Sequence, residues 1–377
     1  MNKYFSVINN PNNFFLHLIF LLPLIGTSIP AYIIAIVYLL INVTKLKFKL
    51  EDLVFLGVIL TWFIFKIQQS NLVACTILFR YYFGFYVFYL FFNKSKIQIK
   101  LDKLLWIICI AVVIEAIIIN TIVPAQYLPN YPKTELGDLT AETKILGFYQ
   151  RPYSIGTNST ITSTLVMVLI FYVFGFSKAL DINRSNKLLF FSFFTVLILG
   201  SGTGYALLLL FLIYKTRPFK NIVTASFSIL FIMLIYYLIF VLDIGSLDGL
   251  DKISALYLNF LYDFKILQIQ DVNYLLNTEQ FQTIIGRSFQ DPKELIIWSD
   301  FAWLNLFECT GYLGLLTTIL IFLFKTNRFN YIPVLVFLIG AFHYGAIYAL
   351  PGQLLIGYFL SINFITNEKV SKNILNV

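Results

Sequence analysis

The sequence predicts an all-α integral membrane protein that crosses the bilayer many times. Hydrophobic residues make up 59% of the 377 residues, whereas Asp, Glu, Lys and Arg together make up only 12%. A soluble protein of this size has about 25% charged residues, so this chain lacks the groups for a wettable surface. Long apolar stretches also alternate with short basic ones along the chain. We expect about twelve transmembrane helices in one integral membrane domain over residues 1–377, with two large extracytoplasmic loops at about 124–158 and 243–302.

The first elements are helix pairs joined by basic segments. The apolar stretch 14–43 is interrupted by Pro23, Gly26 and Pro30, which favours two short helices over one long one. Because this stretch continues far beyond a signal-peptide core, we expect no cleaved signal peptide. The next predicted helices, in chain order, span 53–69, 72–92 and 104–123.

The second half begins after the first large loop and contains an internal break. The stretch 188–214 is interrupted by Ser-Gly-Thr-Gly at 201–204, which predicts two short helices that meet at the outer face. The other predicted helices of this half span 160–176, 221–242, 303–324, 331–349 and 352–365.

The distribution of basic residues sets the orientation. Of the 27 Lys and Arg residues, 18 fall in the segments assigned to the inside and 7 in the two outer loops. This bias follows the positive-inside rule and places both termini inside. The net charge of +8 is then explained by topology, so we expect no nucleic-acid partner. Three cysteines in apolar stretches indicate neither a metal site nor a disulfide.

Two arginines stand out in the first half. Arg80 lies near the middle of a predicted span, where an arginine costs at least about 2.5–3.5 kcal/mol, so it needs a partner. That partner is either a bound phosphate or the carboxylate of Glu115. Arg151 lies between Tyr149 and Tyr153, whose rings can stack on sugar faces, and Pro152 restricts it to extended backbone. Its alternative role is that of an ordinary loop arginine at headgroup level.

The second large loop ends with another set of candidates. Arg287 follows Gly286, and Asp300 lies thirteen residues further on. Asp300 could accept a proton from a sugar hydroxyl, or it or Ser299 could cap the following helix. Glu308 is a second candidate base or a structural ion partner. His343 is more typical of a hydrogen-bonded structural residue.

Four stretches together resemble the O-antigen polymerase and ligase superfamily, the oligosaccharide repeat-unit (Wzy-like) polymerases. They are 147–158 (GFYQRPYSIGTN), 201–204 (SGTG), 284–287 (IIGR) and 299–316 (SDFAWLNLFECTGYLGLL). The resemblance covers nearly the whole chain, mostly through the order of spans and loops.

The resemblance implies a membrane glycosyltransferase of the bacterial cytoplasmic (inner) membrane. It would join undecaprenyl-diphosphate-linked oligosaccharide repeats into O-antigen or capsule at the outer face, without a cofactor or metal. Arg151 and Arg287, with Arg80, would hold the diphosphate, Asp300 would act as base and Glu308 would be second. Besides the lipid-linked substrate and membrane lipid, candidate partners are a chain-length regulator and a flippase. The alternatives are an O-antigen ligase, which usually has a histidine in the second outer loop, and a lipid-linked oligosaccharide flippase or transporter.

Overall fold

The structure is a computed structural model that describes twelve parts of the chain. These are residues 29–42, 48–95, 99–122, 144–145, 149–154, 158–175, 186–216, 270, 280–291, 301–327, 330–342 and 345–362. The helices are α1 (Ile29–Ile41), α2 (Leu50–Gln69), α3 (Leu72–Ser95), α4 (Leu101–Ile117), α5 (Ser159–Gly175), α6 (Asn186–Leu199), α7 (Gly202–Thr216), α8 (Gln280–Ile285), α9 (Ala302–Lys325), α10 (Tyr331–Gly340) and α11 (Leu350–Ser361). A π-helical turn, Ile118–Ile122, continues α4, and the strands β1 (Lys144–Ile145) and β2 (Tyr149–Gln150) form an antiparallel pair.

The described part of the chain is mostly helical and has the apolar helices of a membrane protein. Three helical stretches are long and apolar enough to cross a bilayer: Leu72–Ser95, Leu101–Ile122 and Ala302–Lys325. Large apolar side chains also cover outward faces, as at Leu53 and Ile64 of α2 and Phe190 of α6. Such faces suit hydrocarbon better than water.

Helix α5 is the centre of one group of helices. Nearly every residue of α5 is buried, and α5 packs against α4, α6, α7 and α10. The hydroxyls of Ser163 and Thr164 both donate to the carbonyl of Thr160, at 2.9 Å. These polar side chains can therefore be buried in the helix group without unsatisfied donors.

Helix α3 is the centre of a second group, formed with α1, α2, α9 and α11. Gln353 of α11 is completely buried, and its amide donates to the carbonyls of Arg80, Tyr81 and Tyr348 at 2.7–3.0 Å. Gly84 leaves the room that this amide occupies, since a Cβ there would overlap it. Helix α11 also packs against α5 and α10, which joins the two groups.

Helices α2 and α9 lie antiparallel, with charged side chains near both ends. At one end Lys325 Nζ lies 2.7 Å from Asp52 Oδ1 and 2.6 Å from Glu51 Oε1. Tyr86 and Tyr89 donate to the same Asp52 oxygen at 3.4 and 3.3 Å. At the other end Lys66 contacts the start of α9. Since a helix rises 1.5 Å per residue, Asp52 and Lys66 are about 21 Å apart along α2, most of the thickness of a bilayer core.

The helix boundaries agree with the sequence in some places and correct it in others. The break in 188–214 is confirmed, because α6 ends at Leu199 and α7 begins at Gly202. The single helix predicted for 331–349 is wrong, because α10 ends at Gly340 and turns precede α11. The predicted helix 221–242, the first half of the 14–43 hairpin and most of both large loops lie outside the described residues.

Candidate functional site where α8 meets the kink of α9

The site is built on two glycines that allow two backbones to touch. Gly286 follows α8 with φ 86°, and Gly311 kinks α9 with φ 66°. A Cβ on Gly286 would overlap the carbonyl of Cys309, and a Cβ on Gly311 would overlap the carbonyl of Ile284. Both positions have the left-handed backbone that only glycine adopts without strain. The end of α8 can therefore lie directly against the kink.

A buried ammonium holds these two backbones together. Lys66 Nζ donates to the carbonyls of Ile285 at 3.3 Å, Arg287 at 2.5 Å and Cys309 at 3.0 Å. Its side chain is completely buried. The indole of Trp62, one turn earlier on α2, also donates to Ile285 O, at 3.0 Å. Because buried carbonyls need donors, these two side chains satisfy the main-chain groups that the kink leaves open.

Arg287 and Glu308 meet at this junction. Arg287 Nη1 lies 3.4 Å from Glu308 Oε1, and the main-chain N–H of Arg287 donates to Glu308 O at 2.8 Å. The arginine side chain is 57% exposed and the glutamate side chain 14%. The guanidinium also lies 6.0 Å from the ring of Phe289. The structure thus brings together two predicted site residues, with the cation outermost.

The segment after Arg287 is fixed to the turn between α2 and α3. Phe289 N donates to Ser70 Oγ at 2.9 Å, and Asn71 N donates to Phe289 O at 2.8 Å. The amide of Gln290 donates to Gln69 O, also at 2.8 Å. The loop that carries Arg287 therefore lies over the end of the α2–α3 hairpin.

A second polar cluster surrounds the first predicted loop. Asn120, in the π-helical turn, donates to Gln150 O and accepts from Gln150 N, both at 2.9 Å. Glu115 Oε1 accepts from Tyr153 N at 3.0 Å, and Thr162 Oγ1 donates to Tyr153 O. Segment 150–153 is thereby attached to α4 and α5.

The tyrosines of this cluster have well-defined partners. Tyr149 OH donates to Ile198 O at 2.9 Å. Burial is the main cause that raises the pKa of Tyr149 to about 12, so the phenol stays protonated and donating at neutral pH. Tyr153 is only 5% exposed, so other parts of the chain cover its ring, whereas Tyr149 is partly exposed.

Arg151 belongs to this second cluster and not to the first. Its side chain is partly buried, and its Nε has no hydrogen-bond partner in the described part of the chain. The starts of α5 and α7 meet nearby, where Ser201 Oγ donates to Thr160 Oγ1 at 3.1 Å. Helix N-termini attract anions, so this region suits a negatively charged group. The contacts of the two clusters do not join Arg151 to Arg287.

Arg80 is partly buried in the middle of α3. Its carbonyl accepts from Gln353, but its guanidinium has no ion pair among the residues the structure describes. The alternative prediction of a pair with Glu115 is therefore wrong, because Glu115 instead accepts from Tyr153 N. An arginine in this position still calls for an anionic partner.

The helix start after the second loop corrects another prediction. The N-cap residue of α9 is Phe301, with φ 81° and no capping side chain, so neither Ser299 nor Asp300 takes that place. Asp300 itself, like His343, lies outside the described residues.

Lys66 is the residue that sequence reasoning missed. It was only a charge inside a predicted span, although its spacing of four from Trp62 places both on one helix face. Its carbonyl partners come from segments more than 200 residues away, and no local pattern reports such contacts.

No metal centre is built from the described residues, since they contain no group of three or more His, Cys, Asp or Glu that could hold an ion. Comparisons with protein-family models, with curated proteins and with solved structures found no match for this chain.

Proposed function

We propose that this protein is a membrane glycosyltransferase that polymerises lipid-diphosphate-linked oligosaccharide repeats at the outer face of the cytoplasmic membrane. The observation that carries the proposal is the Arg287–Glu308 pair, at 3.4 Å, at the kink of a membrane-type helix. Such a site offers a planar cation for a diphosphate and a carboxylate for a hydroxyl proton. The order of loops and spans that resembles the repeat-unit polymerases supports the same reading.

The proposed topology has about twelve spans with both large loops outside. Contacts between helix ends support it, because residues assigned to the same side meet. Outer positions 289 and 71 pair, as do outer positions 149 and 198. Inner positions 325 and 52 also pair. Each pair joins ends that a different topology would separate by the bilayer.

In the proposed reaction an acceptor-sugar hydroxyl attacks the anomeric carbon of the donor chain. A C–O bond to the acceptor forms, the C–O bond to the lipid diphosphate breaks, and the diphosphate leaves with its electron pair. Arg287 and Arg151, with Arg80, would stabilise the charge on the leaving group. Asp300 would take the hydroxyl proton, with Glu308 as the second candidate.

The lipid tail of the substrate needs an apolar surface beside this site. Exposed large apolar side chains on α8, such as Phe281 and Ile284, lie within a few residues of Arg287 and provide one. A flippase that delivers the repeat and a chain-length regulator are the proposed partners.

A lipid-linked oligosaccharide transporter is the second candidate. The specific observation in its favour is the presence of interrupted helices, at Gly311 and between α6 and α7. Transporters often build substrate sites from unwound helix segments. The two candidates differ in whether new glycosidic bonds form.

The test is incubation of the purified chain with a purified lipid-diphosphate-linked repeat. We expect a ladder of longer glycans and release of the free lipid diphosphate. A gene deletion should leave single repeats that still reach the outer face. Accumulation of repeats on the cytoplasmic side, with no ladder in vitro, would instead identify a transporter.

A further inference from the structure

We propose that Lys66 is a positioning residue, an internal cation that locks segment 285–287 onto the kink of α9 and so places Arg287 opposite Glu308. The lock itself is a property of the fold. That the aligned pair serves glycosyl transfer rests on the proposed function.

The hydrogen-bond capacity of the ammonium matches its surroundings. A lysine ammonium has three N–H donors, and three main-chain carbonyls lie within 3.3 Å of Lys66 Nζ. None of the ion pairs among the described residues includes Lys66. A fully buried lysine without a carboxylate at contact distance is rare. Its charge is directed at backbone dipoles, including the C-terminal end of α8.

The three carbonyls belong to both halves of the candidate site. Ile285 and Arg287 flank Gly286 on one side, and Cys309 directly follows Glu308 on the other. One ammonium therefore holds the carbonyl of Arg287 and the carbonyl next to Glu308 at the same time. Loss of this cation would leave three carbonyls short of donors at the point where the two backbones touch.

The chain contains its own probes for this lock. The thiol of Cys309 is buried at the lock, whereas Cys109 is buried in the α5 group, where it lies 3.6 Å from Ser192 Oγ. In Lys66→Met, which keeps the side-chain length but has no donor, we expect a small maleimide to modify Cys309 at least tenfold faster than in the wild type. Modification of Cys109 should be unchanged, as read by mass spectrometry of the peptides.

Chemical rescue separates a cation role from simple filling of space. Lys66→Ala leaves a space that n-propylammonium can enter and from which it can donate three N–H groups. We expect this amine to restore protection of Cys309 and polymerisation together. Tetramethylammonium, which has a charge but no N–H donor, should restore neither.

The outcomes are distinct. Unchanged protection of Cys309 in Lys66→Met, or equal exposure of Cys309 and Cys109, would overturn the lock. Selective exposure of Cys309 with rescue by the donor amine alone supports it. If the wild-type chain makes no polymer, the proposed function fails, while the labelling still decides whether Lys66 locks the two backbones.

Discussion

Arg287 and Glu308 have the unequal exposure expected of a pair that opens when an anion arrives. The guanidinium is 57% exposed and the carboxylate beneath it 14%. A partly exposed ion pair contributes only about 0–1 kcal/mol to stability, because water screens it. A lipid diphosphate can therefore attract the guanidinium at little cost, and the carboxylate is then close to the donor sugar.

The first prediction concerns the shape of these cations. Arg287→Lys and Arg151→Lys retain the charge, but a lysine cannot grip two diphosphate oxygens as a planar guanidinium does. We expect each variant to lose about 100- to 1,000-fold in polymerisation rate, as for loss of one well-placed electrostatic donor. The measurement is turnover of a purified lipid-linked repeat, corrected for the amount of folded protein. Near wild-type turnover in both variants would show that they are ordinary surface charges.

The second prediction separates the two carboxylates. Asp300→Asn should reduce turnover by about 100- to 10,000-fold, the usual contribution of a general base. Glu308→Gln should reduce it less, because glutamine can still accept a hydrogen bond from Arg287. Since Phe301 occupies the N-cap position of α9, loss of a helix cap does not explain a large effect at Asp300. A severe loss in Glu308→Gln with a mild one in Asp300→Asn would transfer the role of base to Glu308.

At the scale of elements, the kink of α9 gives the site its shape. Gly311 turns the helix backbone out of line, and Gly286 lies against the same place. The carbonyls released there meet the ammonium of Lys66 from α2. Three elements distant in sequence therefore converge on a single break in a membrane-type helix.

The third prediction tests this kink. Gly311→Ala should destabilise the protein by at least about 1–3 kcal/mol, because alanine is strained at positive φ and its Cβ would overlap the carbonyl of Ile284. The matched control is Gly57→Ala in α2, where a Cβ meets nothing within 4 Å. That change should stabilise the helix by about 0.5–1 kcal/mol. Thermal unfolding in detergent compares the two, and equal midpoints would contradict a strained kink.

What the sequence predicted at this scale depended on local signals. Ser201 to Gly204 interrupt an apolar stretch, and the break between α6 and α7 was predicted from that interruption. Gly311 has apolar neighbours of high helix propensity, such as Leu313 and Leu315, so the kink was not predicted. The partners that require it, Ile284 and Gly286, precede it by about one loop, and their contact with it is tertiary.

At the scale of the molecule, polar contacts near the ends of α2 and α9 fall into two layers. One layer holds Lys325 with Glu51 and Asp52, and the other holds Lys66 with the carbonyls beside Arg287 and Glu308. The apolar residues of α2 and α9 between these layers suit the bilayer core. Composition and charge bias predicted a helical membrane protein, but the pairing of individual side chains across the layers depends on the fold.

The fourth prediction tests which layer faces outward. Gln290 and Lys103 are both exposed, and the proposed topology puts them on opposite sides of the membrane. In intact cells a membrane-impermeant maleimide should modify Gln290→Cys, whereas Lys103→Cys should react only after permeabilisation. The native thiols are buried and should contribute little background. Labelling of Lys103→Cys alone in intact cells would invert the topology and move the Arg287–Glu308 site to the cytoplasmic face, where an extracytoplasmic polymerase cannot work.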